Sequence, residues 1–239
     1  MAGAGATLVA HQLKRERNDK IVLDGISFTL APGDRLGVVG PNGVGKTTLL
    51  RLLAGMDHPD SGRVQLAPPR AAVGYLAQDR ERPPGETVDG YLRRMAGLVE
   101  AELALEKASD AFAAGDMSAA AQEAFDGALD RLSALAPDSF GERASRALAD
   151  LGAAPGLLSA PVATLSGGEL ARAHLVAMIL SRYDVYLLDE PTNDLDFTGL
   201  ERLEQLVAGW SAPVMVVSHD RAFLSRTVTA VLEIDAHSK

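Results

Sequence analysis

The sequence predicts an α/β fold in which helices cover a parallel sheet, with an antiparallel β subdomain in front and a helical block inserted. Three observations predict it. A glycine-rich loop, Gly40-Pro41-Asn42-Gly43-Val44-Gly45-Lys46-Thr47-Thr48, lies between a short apolar strand and a helix. Two continuous apolar runs, Val185-Tyr186-Leu187-Leu188 and Val214-Met215-Val216-Val217, each end in polar groups and are followed by a helical pattern. Between the two halves, from 87 to 151, the apolar period changes from that of strands to that of helices.

Taken in order, Thr7-Leu8-Val9-Ala10 and Ile21-Val22-Leu23 read as short strands on either side of the charged segment 14–20. Ile26-Ser27-Phe28-Thr29-Leu30 alternates and predicts a half-buried antiparallel strand, and Ala31-Pro32-Gly33-Asp34 is a turn. Residues 34–39 form the strand before the loop, and residues 48–54 form a helix closed by Gly55. Residues 63–66 and 72–76 are further strands. Val88, Tyr91, Leu92, Met95, Leu98 and Val99 then fall on one helical stripe. Ala121, Ala124, Phe125, Ala128, Leu129, Leu132 and Leu135 form a second, with Gly115-Asp116 as the turn between them. Phe140, Ala144, Ala147, Leu148 and Leu151 form a third, stopped by Gly152. Such stripes predict core faces. A helix follows from about 168 to 180, another over 199–208, a short one from 221, and a last strand over 228–233. The expected organisation is a β subdomain with the loop-bearing part of the core over 1–86, a helical subdomain over 87–152, and the rest of the core over 153–239.

Composition narrows the function classes. The chain has 239 residues, and 47% are hydrophobic, which supports a packed core and argues against disorder. Acidic residues outnumber basic ones, for a net charge of −9, so whole-chain charge gives no support to nucleic-acid binding. The absence of cysteine excludes disulfides and Cys-ligated zinc. No apolar run approaches the roughly 20 residues that span a bilayer, and the first residues lack a signal-peptide pattern. The expectation is a cytoplasmic protein without direct membrane insertion.

The loop carries the chemistry. Its glycines let the backbone approach clustered phosphate oxygens, the N–H groups opening the helix point at them, and the helix dipole adds attraction. Lys46 supplies a point charge toward the β and γ phosphates, and the Thr47 hydroxyl suits Mg²⁺. Asp189 and Glu190 end an apolar strand, where ligands sit in parallel α/β sheets. Asp189 suits Mg²⁺, and Glu190 can polarise an attacking water. His219 repeats this geometry at the tip of the next apolar strand and can donate to a γ-phosphate oxygen. Gln78 follows a strand and can serve Mg²⁺ or water. Ser166-Gly167-Gly168-Glu169 is a capping box, and its two glycines suit a helix start that approaches an anion.

Together, residues 40–48, Gln78, Leu165-Ser166-Gly167-Gly168-Glu169, Leu188-Asp189-Glu190-Pro191-Thr192-Asn193-Asp194-Leu195-Asp196 and Ser218-His219-Asp220 resemble the motif set of an ATP-binding cassette (ABC) ATPase, a P-loop NTPase. The resemblance extends over nearly the whole chain. It implies a mixed sheet core, an N-terminal antiparallel β subdomain and an inserted helical subdomain or arm. It implies ATP and Mg²⁺ as ligands. ATP contacts fall to Gly40, Pro41, Asn42, Gly43, Val44, Gly45, Lys46, Thr47 and Thr48. Catalytic roles fall to Glu190, His219 and Gln78, and metal contacts to Thr47, Gln78 and Asp189. Ser166, Gly167, Gly168 and Glu169 would face ATP held by a second cassette. The segments 189–196 and 218–224 and the long interval between Gln78 and Ser166 resemble the first cassette of ABC-F proteins, which act on the ribosome as translation or antibiotic-resistance factors. The implied partners are a second cassette, as a C-terminal half or a second copy, and the ribosome. The alternative is the nucleotide-binding subunit of a membrane transporter. Arg17 stands where the family has an aromatic side chain against adenine, and a guanidinium can also stack on a purine.

Overall fold

The computed structural model describes residues 5–17, 20–78, 82–154, 156–181 and 183–235. The chain divides into two compact units, Met1–Arg80 with Tyr183–Lys239, and Glu81–Arg182. The first unit opens with β1 (Thr7–Arg17), β2 (Lys20–Leu30), β3 (Arg35–Val39), α1 (Lys46–Leu53), β4 (Ser61–Ala67) and β5 (Val73–Leu76). The second holds α2 (Val88–Met95), α3 (Leu98–Ala113), α4 (Ala119–Leu135), α5 (Phe140–Asp150) and α6 (Gly167–Ser181). The chain then returns to the first unit with β6 (Val185–Asp189), α7 (Phe197–Gly209), β7 (Val214–Val217), α8 (Arg221–Thr227) and β8 (Ala230–Glu233).

Two sheets build the first unit. One is parallel, in the order β5-β6-β7-β3-β8, and the other antiparallel, in the order β2-β1-β4. Strands β6 and β7 are buried at every residue, which is why their sequences are unbroken apolar runs. Leu49, Leu50, Leu52 and Leu53 of α1 pack into the same core as Leu8, Leu13 and Leu23 of the antiparallel sheet.

The N-terminal strands are longer than their apolar cores suggest. Arg15 pairs with Leu23 and Glu16 with Ile21, so the charged residues to Arg17 continue β1. Segments 21–23 and 26–30 are one strand, whose register with β1 shifts around Gln12 at φ 49° and Gly25 at φ 70°. The N–H of Gln12 donates to Ser27 Oγ (2.8 Å) and holds this irregularity. Charged side chains that point to solvent leave ladder hydrogen bonds intact, so charge alone does not end a strand.

In the second unit the first helical stripe is two helices. Gly97, with a φ of 76°, takes the left-handed conformation that ends α2 and starts α3, and Val99 is exposed. Helices α3 and α4 form an antiparallel hairpin around a narrow seam. Ala101 and Ala108 on one helix and Ala121 and Ala128 on the other are buried at seven-residue spacing. Phe112 and Phe125 meet with ring centroids 5.2 Å apart. Of the rest of the second stripe, Ala124 and Leu129 face solvent, Leu132 is half-buried and Leu135 is fully buried. Around α2, α5 and α6 the burial is deeper: the Tyr91 hydroxyl lies 2.9 Å from His174 Nδ1, and Phe140 is fully buried under the guanidinium groups of Arg93 and Arg143.

Candidate functional site

The site lies in the first unit. Strands β3, β7 and β6 are neighbours and run parallel, so the segments following all three leave the same edge of the sheet. After β3 comes the glycine-rich loop. A Cβ on Gly40 would lie 2.3 Å from the Ile234 carbonyl oxygen, and one on Gly45 2.6 Å from Val22 Cγ1. Both positions also have positive φ, 154° and 117°. These two glycines therefore let the loop press against the chain behind it. Gly43, at φ 75°, has open space where its Cβ would stand. The loop thus presents bare backbone to its open side. Lys46, the first residue of α1, is buried, and its Nζ donates to the carbonyls of Gly40 (2.9 Å) and Pro41 (3.1 Å).

After β6 come the two carboxylates. Asp189 is 1% exposed and accepts from the Tyr75 hydroxyl at 3.2 Å. Glu190 takes a φ of 50°, a left-handed backbone uncommon outside glycine, while its N–H donates to the Val217 carbonyl (2.9 Å). Its side chain is nearly buried and meets His219 twice. Oε2 accepts from the His219 backbone N–H (3.2 Å), and Oε1 lies 3.3 Å from His219 Nε2. Burial pushes the Glu190 carboxyl above the usual carboxylate range, and the facing His219 pulls it the other way. The His219 side chain is 60% exposed. The segments after β6 and β7 are tied together by Thr192 Oγ1 and Ser218 Oγ, 3.0 Å apart. Ser218 Oγ also accepts from the Asp220 N–H (3.1 Å), and Asp220 caps α8 through the Phe223 N–H (2.9 Å).

These groups line one cavity of about 460 Å³. It brings together Asn42, Gly43, Gly45, Lys46, Thr47 and Thr48 of the loop with Gln78, Asp189, Glu190, His219 and Arg17. Gly40 and Pro41 reach it through their carbonyls to Lys46, and Val44 is a core residue instead, 4% exposed. Val22, Asn193 and Val217 also line it. Asn193 had a signal in the sequence, standing three residues after Glu190 in an acid-rich turn. Val217 is the last residue of an apolar strand. Val22 had none, because its place depends on packing between the two sheets.

Among the lining residues, Thr47, Gln78 and Asp189 carry side-chain oxygens. That set fits a hard cation such as Mg²⁺, which keeps few protein ligands. No cluster of three or more His, Cys, Asp or Glu that could hold a metal is found among the described residues. The bare backbone at Gly43 fits a phosphate chain.

Ser166, Gly167, Gly168 and Glu169 lie in the second unit, at the start of α6. The capping box forms: Glu169 Oε2 accepts from the Ser166 N–H (2.9 Å) and hydroxyl (2.8 Å), and the Glu169 N–H donates back to Ser166 Oγ (3.3 Å). These two donors hold the Glu169 carboxyl below its usual range.

Known proteins resemble this chain in sequence and in fold. Residues 23–193 match the family described as ABC transporter. The chain is 41% identical over 239 residues to the tylosin resistance ATP-binding protein TlrC of Streptomyces fradiae, covering 95% of this chain and 42% of that protein. It is 34% identical over 224 residues to the energy-dependent translational throttle protein EttA of Mycobacterium tuberculosis, covering 94% and 40%. It is 32% identical over 239 residues to ABC transporter F family member 5 of Arabidopsis thaliana, covering 98% and 34%. The chain therefore spans about two fifths or less of these relatives. Among solved structures, an ATP binding subunit of an ABC transporter aligns with a TM-score of 0.71 at 19% identity, covering 95% of this chain and 85% of that one. The dimeric bacterial cassette MJ0796 aligns at 0.68 and 19%, covering 95% and 94%. These two likenesses show the fold. No described helix is long and apolar enough to cross a membrane. With the family match extending over most of its length, the chain belongs to the ABC transporter family, as an ATP-binding cassette whose sequence is ABC-F-like.

Proposed function

We propose that this cassette binds ATP with Mg²⁺ in the loop cavity, hydrolyses it when paired with a second cassette, and serves as the first half of an ABC-F protein acting on the ribosome. The observation that carries the chemistry is the convergence of Lys46, Thr47, Gln78, Asp189, Glu190 and His219 on one cavity. Lys46 and the backbone around Gly43 hold the phosphates. Glu190, with its carboxyl lifted by burial, takes the proton of the attacking water, and His219 and Gln78 orient the γ end. Thr47 and Asp189 would hold Mg²⁺, which would supply charge neutralisation at the phosphates. Ser166 and Gly168 act on the nucleotide of the other cassette. The ribosomal part of the proposal is supported by the relatives named for tylosin resistance and translational throttling, and by the α3–α4 hairpin where ABC-F proteins carry an arm.

Glu190→Gln tests the chemistry. It should keep ATP affinity and slow phosphate release by about 10²–10⁴-fold, the usual contribution of a general base. Loss of nucleotide affinity in that variant would overturn the role. Co-sedimentation of the full-length protein with ribosomes in ATP tests the second part, and sedimentation with membrane vesicles instead would favour the transporter subunit.

A further inference from the structure

The loop cavity does not end at the phosphates. A second cavity of about 480 Å³ shares Arg17, Thr47 and Thr48 with it and is otherwise lined by Arg15, Arg51 and Asp57. All six residues belong to the first unit. The groups that act on a γ phosphate, Glu190, His219 and Gln78, line only the first cavity. A triphosphate laid along the loop with its γ end there, and Thr47 at its metal, has its α end toward Thr48. Beyond Thr48 the sugar and base have the second cavity to enter.

The walls of that cavity are unusual for a base. They contain no aromatic ring and no large aliphatic side chain. Two of the three arginines are held in place by acids. Arg51 reaches Asp57 through Nε (2.8 Å) and Nη2 (3.4 Å), while Arg15 Nη1 donates to Asp60 Oδ1 and the His58 carbonyl, both at 2.9 Å. Arg17 is exposed at the end of β1, acts on Asp57 only through its charge, and stands at the junction of the two cavities. Asp57 is held below the usual carboxylate range by its bond to Arg51, so it faces the cavity as a pure acceptor.

A guanidinium donates and never accepts. Guanine offers two acceptors side by side, O6 and N7, whereas adenine offers N7 beside an N6 amino donor. An ionised carboxylate complements the N1–H and N2 amino donors on guanine's other edge. Resting on the assignment of the loop cavity to a nucleoside triphosphate, we infer that the base subsite accepts guanine at least as well as adenine, and that Arg17 is the specificity-determining residue. The cassette then takes purine nucleoside triphosphates as a class, GTP included.

The test is equilibrium competition of ATP and GTP against a fluorescent nucleotide. It uses the full chain in the Glu190→Gln background, so that hydrolysis does not distort the binding. GTP should compete as well as ATP or better. Arg17→Ala should weaken GTP by about tenfold, in the range of a bidentate guanidinium–guanine contact, and ATP by clearly less. Arg17→Phe, which places a stacking ring without donors toward O6, should shift the preference to ATP. A wild-type preference for ATP above tenfold, or an equal loss of both nucleotides in Arg17→Ala, overturns the inference while leaving the triphosphate site intact. Failure of both nucleotides to bind, with Lys46→Ala no different from its parent, overturns the site itself and the inference with it.

Discussion

Glu169 carries a stabilising role that can be read by pH alone. Its carboxylate takes two donors from Ser166, and these depress its pKa below the ordinary 4.5. A depressed carboxylate stabilises the fold above its unfolded pKa, and that contribution is lost as pH falls through the folded value. Glu169→Ala should therefore cost about 1 kcal/mol at neutral pH, typical of a lost cap. The gap between variant and parent should begin to narrow as pH falls below about 4.5 and close once the lower folded value is passed. Urea midpoints followed from pH 7 down into acid check it, and a gap that does not narrow would remove the ionic part of the cap. The Ser218 hydroxyl joins the segment of Glu190 to that of His219 through Thr192 and Asp220. Ser218→Ala should lower turnover several-fold with KM unchanged, and Ser218→Thr should restore it. A change confined to KM would contradict this. Both features differ in how far the sequence discloses them. The cap is a four-residue spacing and legible at once, as are Asp189 and Glu190, because acids directly after an apolar run can only stand at a strand's end. The Thr192–Ser218 contact joins residues far apart in sequence, and only the parallel pairing of β6 and β7 brings them together.

Helices and strands were legible by type and less so by extent. An apolar period names a face of a helix but not the width of what covers it. Among the described residues the main cover of α3 and α4 along most of their length is the other helix, so the buried seam there narrows to Ala101, Ala108, Ala121 and Ala128 while Leu103 and Leu129 stay exposed. The break at Gly97 was hidden for a related reason: Leu98 falls on the phase of the α2 stripe although it begins a new helix. The alanine seam makes a sharp prediction. The two backbones approach closely only because the contact residues are small, so Ala108→Leu overpacks the hairpin. It should destabilise α3 and α4 by about 1–3 kcal/mol. Hydrogen exchange should quicken in those two helices and remain as in the parent in β6 and β7. Uniform quickening in both units would mean that the hairpin is not an independent element.

The fold class was legible at the level of the molecule, and so was the gathering of four of the five motifs at one cavity, because each of the four follows a strand of the same parallel sheet. What one chain can do with that site follows from where its parts lie. The cavity groups belong to the first unit, and Ser166, Gly167 and Gly168 belong to the second. In the proposed mechanism the latter complete the site of another cassette, so an isolated chain holds two incomplete halves. ATP binding needs the loop alone and should be independent of protein concentration. Hydrolysis needs a pair, so turnover per chain should rise with concentration and fall toward zero on dilution. Each chain carries a net charge of −9, and two like-charged copies repel over distances that salt shortens, with a Debye length of roughly 10 Å at 0.1 M. Raising salt from low to moderate strength should therefore raise turnover of the dilute chain before it weakens nucleotide binding. Linking the chain to a sister cassette should remove both dependences, since the partner's effective concentration then reaches the millimolar range. Phosphate release measured across a hundredfold dilution decides the matter. A constant turnover per chain, from protein shown to be monomeric by sedimentation, would mean that one cassette completes its own site and that the helix start at Ser166 serves something else.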